Sequence, residues 1–296
     1  MRVLVLGGGG MLGHKLCQVF KKSFDTWVTI RSNYKQYSHY GIFDPKRTIE
    51  NMDIREVKST ARVIESVRPD VVINAIGIIK QIPEASDPIV SLTANSILPH
   101  HLAKQCQQAS ARLIHISTDC VFSGLKGQYT EDDVPDTDDL YGRSKLLGEV
   151  QSSHCLTLRT SVIGRELHTN NGLVEWFLGQ VGETVQGYKK AIYTGFPTVT
   201  LARIMVNLIQ EHPNLSGLYH VSSEPITKYN LLRLMSKIFG VSVKIQSDSG
   251  VSIDRSLISN RFRSATGFIP QPWPEMVADM ASDPTPYNEW RSTNDS

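Results

Sequence analysis

The chain has 296 residues, 40% of them hydrophobic and 20% charged, with 31 basic against 29 acidic residues for a net charge of +2. That balance excludes a disordered chain and a protein that holds nucleic acid through bulk charge. The four cysteines, Cys17, Cys106, Cys120 and Cys155, have no zinc-finger or C-x-x-C spacing and are too few for a disulfide framework. No uninterrupted apolar run is long enough for a membrane span, and the N-terminal Met-Arg-Val-Leu-Val-Leu is too short for a signal peptide. The expectation is a cytoplasmic protein with no membrane and no nucleic-acid partner.

Strand-like and helix-like segments alternate through the first half. Val3 to Leu6 is a short apolar run, and Met11 to Phe20 has helical spacing. Trp27 to Ile30 reads as a strand, Val57 to Val67 as an amphipathic helix, and Val71 to Ile76 as a β-branched strand. Pro88 to Ala109 reads as a helix that Pro99 kinks or breaks. Leu113 to Ile116, Tyr141 to Val150 and Leu156 to Leu158 follow as strand, helix and strand. The alternation predicts a doubly wound parallel sheet of Rossmann type, with ligands at the carboxyl ends of its strands. The expected division is a dinucleotide-binding domain over 1–164, a smaller substrate-binding lobe over 165–281 that returns some segments to the first, and a frayed tail over 282–296. In the lobe, Leu173 to Val181, Leu201 to Glu211 and Lys228 to Phe239 read as helices and Leu218 to Val221 as a strand.

Directly after the first strand comes Gly7-Gly8-Gly9-Gly10-Met11-Leu12-Gly13, in which Gly7, Gly10 and Gly13 are spaced G-x-x-G-x-x-G. Glycine lets the backbone turn tightly and approach a pyrophosphate, which the helix N-terminus then meets with free N–H groups. The end of the second strand reads Arg31-Ser32, with no carboxylate before Asp44. An acidic residue there suits the free ribose hydroxyl of NAD, an arginine the 2′-phosphate of NADP. NADP(H) is therefore the expected cofactor, with Arg31 on the phosphate. Asp53-Ile54 is expected either against the adenine or, through Asp53, as a helix cap.

Asn74-Ala75-Ile76-Gly77 ends the strand predicted from Val71, and Ser117-Thr118-Asp119 ends the next. Tyr141 and Lys145 are four residues apart, so both lie on one side of a helix. With these motifs the chain resembles the extended short-chain dehydrogenase/reductases. Within them it is similar to the dTDP-4-dehydrorhamnose reductase branch, on the run Ser117 to Gly124, Arg159-Thr160-Ser161, Phe196-Pro197-Thr198, Asp254 to Leu257 and Trp273 to Met276. The resemblance covers residues 1 to 280 and is strongest in the first 165. It implies a ketone reduction in which Tyr141 is the general acid, Lys145 lowers its pKa and holds the nicotinamide ribose, Thr118 orients the carbonyl, and Asn95 supports the lysine.

The residue after Asp119 is Cys120, where the related dehydratases carry a glutamate; this argues for plain reduction. It leaves two alternatives. One is an epimerase/reductase with Cys120, and a loosely placed His168, as acid/base groups. The other is a non-catalytic NADP-binding regulatory subunit. The implied substrate is a nucleotide-activated 4-keto-6-deoxysugar in polysaccharide biosynthesis. Its expected contacts are Lys80, Thr118, Asp119, Cys120, Val121, Phe122, Glu175, Trp176 and Arg255. No metal site is expected: His100 and His101 are adjacent and point about 100° apart on a helix. A homodimer through the Tyr141 helix is implied by the resemblance alone.

Overall fold

The structure, a computed structural model, describes residues 1–292. In chain order its elements run β1 (Arg2–Leu6), α1 (Met11–Phe20), β2 (Asp25–Thr29), β3 (Thr48–Ile49), α2 (Val57–Val67), β4 (Val71–Asn74), α3 (Pro88–Leu92), α4 (Leu98–Gln108), β5 (Arg112–Thr118), α5 (Leu140–Leu147), β6 (Cys155–Thr160) and β7 (Val162–Ile163). They continue with α6 (Leu173–Leu178), β8 (Thr184–Tyr193), β9 (Phe196–Pro197), α7 (Thr198–Gln210), β10 (Gly217–His220), β11 (Ile226–Thr227), α8 (Lys228–Phe239), β12 (Lys244–Asp254), α9 (Asn260–Thr266), α10 (Trp273–Ala281) and α11 (Tyr287–Ser292).

The chain divides into two compact units, each drawn from several segments. The first holds 1–118, 138–159 and 202–219; the second holds 119–137, 160–201 and 220–296. The division differs from the boundary expected at 164, although some return of later segments to the first unit was expected. Residues 119–137 leave the first unit, and residues 202–219 return to it.

The first unit is built on a seven-stranded sheet of order β10-β6-β5-β4-β1-β2-β3. The recorded pairings among β1 to β5 are all parallel, with Leu6 opposite both Thr29 and Asn74, and Asn74 opposite His115. All of β4 and β6 is buried, as strands covered on both faces require. Leu4, Leu6, Val63, Val67, Val72, Leu102, Cys106 and Leu113 pack into one core between the sheet and α2 and α4. Parallel pairing brings the carboxyl ends of β1, β2, β4 and β5 to one edge, which is where the sequence motifs lie.

Two helices differ in detail from the sequence reading, the first in where its expected interruption falls. The predicted helix 88–109 is split into α3 and α4 by a wider π turn over Thr93–Ile97, with Pro99 in the first turn of α4. Proline has no N–H for the helical ladder, and a π turn absorbs the break. The helix beginning at Leu140 stops at Leu147, short of the expected Val150, with Gly148 as its C-cap, where a Cβ would lie 1.9 Å from the Asn95 carbonyl oxygen.

The second unit carries a sheet of order β11-β8-β12. β8 runs parallel to β12 and antiparallel to β11, with a register shift between Asp248 and Ser252. α8 packs on β8, and α10 packs on α8. The expected frayed tail is corrected over 287–292: α11 buries Tyr287 to 2% exposure, and Arg291 donates to the carbonyls of Glu166 and Thr169. The last four residues of the predicted tail lie outside the described residues.

Candidate active site

The glycine turn is fixed by packing at every position but one. Gly7 adopts φ +88°, and the Gly8 N–H donates to the Thr29 carbonyl at 2.8 Å. A Cβ would lie 2.9 Å from Ile76 at Gly7, 2.1 Å from Val28 at Gly8, 2.7 Å from the Tyr37 hydroxyl at Gly9 and 2.0 Å from the Gly7 carbonyl oxygen at Gly13. Gly10 differs: it is exposed, and its Cβ would meet only the Gly7 oxygen, at 3.4 Å. Gly10 is also the N-cap of α1, with no side chain capping the first turn. The open face of the turn thus presents a bare backbone and helical N–H groups, with Met11 half-buried and Leu12 buried behind them. That surface fits a pyrophosphate.

Beyond β2, Arg31 is exposed and makes no hydrogen bond or ion pair with another described residue. Ser32 lies beside it and bonds the Tyr37 hydroxyl. Asp53 is not the helix cap that was one of its two expected roles. Its carboxylate pairs with Arg55 and accepts the Arg55 N–H, and these bonds hold its pKa down at about 2. It does not cap α2, whose N-cap is Glu56. Ile54 packs against the core of the first unit.

At the end of β4, the Asn74 amide Nδ2 faces His115 Nδ1 at 3.1 Å, while its Oδ1 accepts the Ile76 N–H. Ala75 donates its N–H to the Leu6 carbonyl, tying the loop to β1. Burial holds His115 neutral, well below the usual histidine range, with Lys145 reinforcing the shift. The π turn places Asn95 so that its side chain accepts the Ile78 N–H at 2.9 Å and donates to the Ile78 carbonyl and the Ser144 hydroxyl. A Cβ on Gly77 would lie 3.4 Å from Asn95 Oδ1 and 4.0 Å from Lys145 Nζ. Gly77, Asn95 and Lys145 therefore converge.

Lys145 is 5% exposed and donates to the Ile116 carbonyl at 2.7 Å. Burial lowers its pKa to about 8, partly offset by Glu149. Glu149 does not form the partner ion pair. Its carboxylate takes both arms of Arg159, at 2.8 Å each, and the Ser117 hydroxyl at 2.7 Å. Tyr141 lies one turn before Lys145 in α5, half-buried, with Lys80 Nζ 5.6 Å from its ring centroid. Lys80 also pairs with Asp139, whose other oxygen caps α5 at the Gly142 N–H. Thr118, at the end of β5, is buried. A surface hollow of this unit, about 420 Å³ and bordered by His100, Lys104, Gln107, Glu149 and His154, contains neither Tyr141, Lys145 nor Thr118.

Among the expected substrate contacts, several serve the fold of the second unit instead. Val121 and Phe122 are fully buried, with Phe122 stacked on Tyr129 at 4.1 Å. Adjacency to the Thr118 motif suggested a pocket, but the short helical turn over 119–121 directs these side chains inward. Glu175 is likewise buried. It binds Arg165 at 2.6 Å and Arg291 at 3.4 Å and accepts the Glu166 N–H, so it anchors α11. Arg255 donates Nε to the Phe122 carbonyl at 2.8 Å and so braces the turn after Thr118. Asp119 is buried, Cys120 is half-buried and Trp176 is 40% exposed. Burial pushes the thiols of Cys17 and Cys106 up to about 12 and that of Cys155 to about 11. His168 is exposed.

Comparison with known proteins gives a family. The model described as RmlD substrate binding domain matches residues 1–283. The spore coat polysaccharide biosynthesis protein SpsK of Bacillus subtilis is 29% identical over 95% of this chain and 97% of its own length. Methionine adenosyltransferase 2 subunit beta of Xenopus tropicalis is 26% identical over 81% of this chain and 72% of its own. The crystal structure of dTDP-4-dehydrorhamnose reductase from Bacillus anthracis in complex with NADP superposes with a TM-score of 0.76 at 23% identity, covering 94% of this chain and 98% of that one. The fold is thus the Rossmann type expected from the sequence.

Proposed function

The chain belongs to the RmlD substrate binding domain family, and on that premise we propose that it reduces the keto group of a nucleotide-activated 4-keto-6-deoxysugar with NADPH. Family membership and the similarity to a dTDP-4-dehydrorhamnose reductase support a nucleotide-sugar reductase. The observation that carries the catalytic reading is the convergence of Gly77, Asn95 and a buried Lys145 below Tyr141.

The glycine turn would hold the pyrophosphate at Gly7, Gly10 and Gly13, and Arg31 the 2′-phosphate. Asn74, Ala75 and Gly77 would border the nicotinamide half. The dinucleotide supplies hydride when bound. The remaining work falls to the chain's own side chains. Tyr141 donates the phenolic proton to the carbonyl oxygen. A free tyrosine at pKa near 10 holds that proton too tightly at neutral pH, and a neighbouring ammonium stabilises the phenolate left behind. Lys145 supplies this charge while its backbone acceptor on Ile116 fixes its position. Thr118 hydrogen-bonds the carbonyl oxygen and orients it. Asn95 locks α5 to the π turn through Ser144 and so keeps the lysine in register.

The relative named for spore coat polysaccharide biosynthesis favours a cell-surface polysaccharide as the destination. The test is NADPH oxidation with a panel of nucleotide 4-keto-6-deoxysugars, followed by product NMR. Turnover of one sugar without deuterium uptake beside the carbonyl supports plain reduction. Uptake that disappears in C120S transfers the reading to an epimerase/reductase. NADPH binding with no turnover of any panel member refutes the reductase.

A further inference from the structure

Glu149 lies just past α5, and the chain makes one further turn to reach it. The Gly148 N–H donates to the Lys145 carbonyl, and the Glu149 N–H to the Leu146 carbonyl. The side chains of Lys145 and Glu149 then reach β5 at consecutive residues. Lys145 Nζ donates to the Ile116 carbonyl, and the Ser117 hydroxyl donates to Glu149 Oε1, each at 2.7 Å. Side chains alternate along a strand, so Ser117 points to the face opposite Ile116 and Thr118. Glu149 therefore grips the end of β5 from the face that Thr118 does not use. It also holds β6, where Arg159 Nε and Nη2 take its two oxygens at 2.8 Å each. The two charged side chains are 4% and 5% exposed. All of these residues belong to the first unit.

Stability alone gives little reason for this arrangement. Apolar side chains of similar volume often match or better a buried ion pair. What they cannot supply is a negative charge near a buried ammonium. Glu149 acts to keep Lys145 protonated, against the effect of burial. The other charged groups packed about α5 do not replace it. His115 of β5 is held neutral by burial. Arg159 of β6 has the same sign as the lysine. Lys80 and Asp139 pair with each other at the opposite end of α5. On α5 itself Arg143 is exposed, and His100 of α4 is exposed and bonded to the Leu147 carbonyl. Glu84 and Asp87, in the segment that packs on α5 from before α3, are exposed, and Asp87 caps α3.

We propose that Glu149 is a positioning residue for the reduction: it holds the end of β5 that carries Thr118 and the acceptor of Lys145, and it is the counter-charge of the lysine ammonium. The assignment rests on the nucleotide-sugar reductase reading above and deepens it. Glu149 acts through Lys145 and takes no part in proton or hydride transfer.

The test is the pH dependence of kcat in E149Q, which keeps the shape of the side chain and removes its charge. The alkaline limb of the profile, where the ammonium is lost, should move down by about one pH unit. At pH 9 kcat should lie about tenfold below wild type, and at pH 6 within about twofold of it. Recovery on the acid side is what a merely structural role would not produce. If Arg159, left without its partner, prevents folding of E149Q, E149Q/R159M takes the same measurement and should again show the limb displaced downward. A limb at the wild-type position in the folded variant overturns the assignment and leaves the reductase reading intact. A loss of kcat that is equal at every pH also overturns it, since that pattern marks a damaged fold. Absence of wild-type turnover on every nucleotide sugar overturns the parent reading and this one with it.

Discussion

Substituting alanine at two glycines of the same turn should separate folding from binding. At Gly13 a Cβ would sit 2.0 Å from the Gly7 carbonyl oxygen and 3.0 Å from the Gly8 Cα. Both contacts are backbone, so no side chain can swing aside and α1 must lift from β1. Overpacking of this kind costs about 1–3 kcal/mol, and more where backbone must move. At Gly10 the added methyl meets one atom, at 3.4 Å, and the backbone there has φ −78° and ψ 167°, which alanine adopts freely. Removing glycine from the unfolded chain stabilises by about 0.4–1 kcal/mol. Alanine is a poorer N-cap than glycine by a few tenths of a kcal/mol or more, which roughly cancels that gain. G10A should therefore hold Tm within about 2 °C of wild type. Its methyl fills the surface assigned to the pyrophosphate, so NADPH affinity should fall at least about tenfold, or about 1.4 kcal/mol. Calorimetric unfolding and NADPH titration on both variants decide the matter. Wild-type NADPH affinity in G10A refutes the assigned approach of the pyrophosphate. A large drop in its Tm refutes the claim that packing leaves Gly10 open.

Other expectations rest on the same geometry. Y141F should bind NADPH normally and lose at least about 100-fold in kcat; retention of turnover removes Tyr141 as the acid. R31A should raise KM for NADPH about tenfold or more and leave NADH almost unaffected, as loss of a charge-assisted contact predicts; equal effects on the two cofactors refute the phosphate assignment. The folded pKa of Lys145, about 8, lies below its ordinary 10.5. Turnover should accordingly decline as pH rises through about 8 and the ammonium is lost. Unfolding takes up a proton between those values, so folded stability gains with pH from about 8 to 10.5, by about 3 kcal/mol for the group alone. The difference in denaturation midpoint between wild type and K145M, followed from pH 7 to 10, measures this; a difference independent of pH refutes a depressed lysine. Y287A should lower stability by about 3–5 kcal/mol as a large buried ring is removed; a wild-type Tm would mean that α11 contributes nothing to the fold.

Patterns with a local cause could be read from the chain. Val71 to Asn74 is a strand buried on both faces, and its β-branched run says so. The glycine turn and the four-residue step from Tyr141 to Lys145 are equally local. What escaped reading depends on distant partners or on polar edges. β12, Lys-Ile-Gln-Ser-Asp-Ser-Gly-Val-Ser-Ile-Asp, is mostly exposed and carries no apolar alternation to announce a strand. Its order comes from pairing with β8. Glu175 looked like a pocket residue because its partner Arg291 lies far along the chain, in a segment whose polar composition suggests a tail. Val121 and Phe122 follow a catalytic motif in sequence, yet their hydrophobicity was the better guide, since both are core.

The relative named as a subunit of a methionine adenosyltransferase raises the question whether this site serves turnover or only binding. The buried groups bear on it. Glu149 is taken up by Arg159 and Ser117 and makes no direct salt bridge with Lys145. Lys145 thus keeps a desolvated charge on one backbone acceptor, an arrangement that stability alone would discard. Holding a ribose would account for an ammonium there. It would not account for a tyrosine one turn earlier on the same face, or for Thr118 at the adjoining strand end. A binding module gains nothing from that tyrosine, whereas proton transfer to a carbonyl needs both the phenol and the charge that lowers its pKa. The two uses separate in Y141F, because a pure dinucleotide sensor would be indifferent to the lost hydroxyl in every assay, while a reductase would keep its cofactor and lose its reaction.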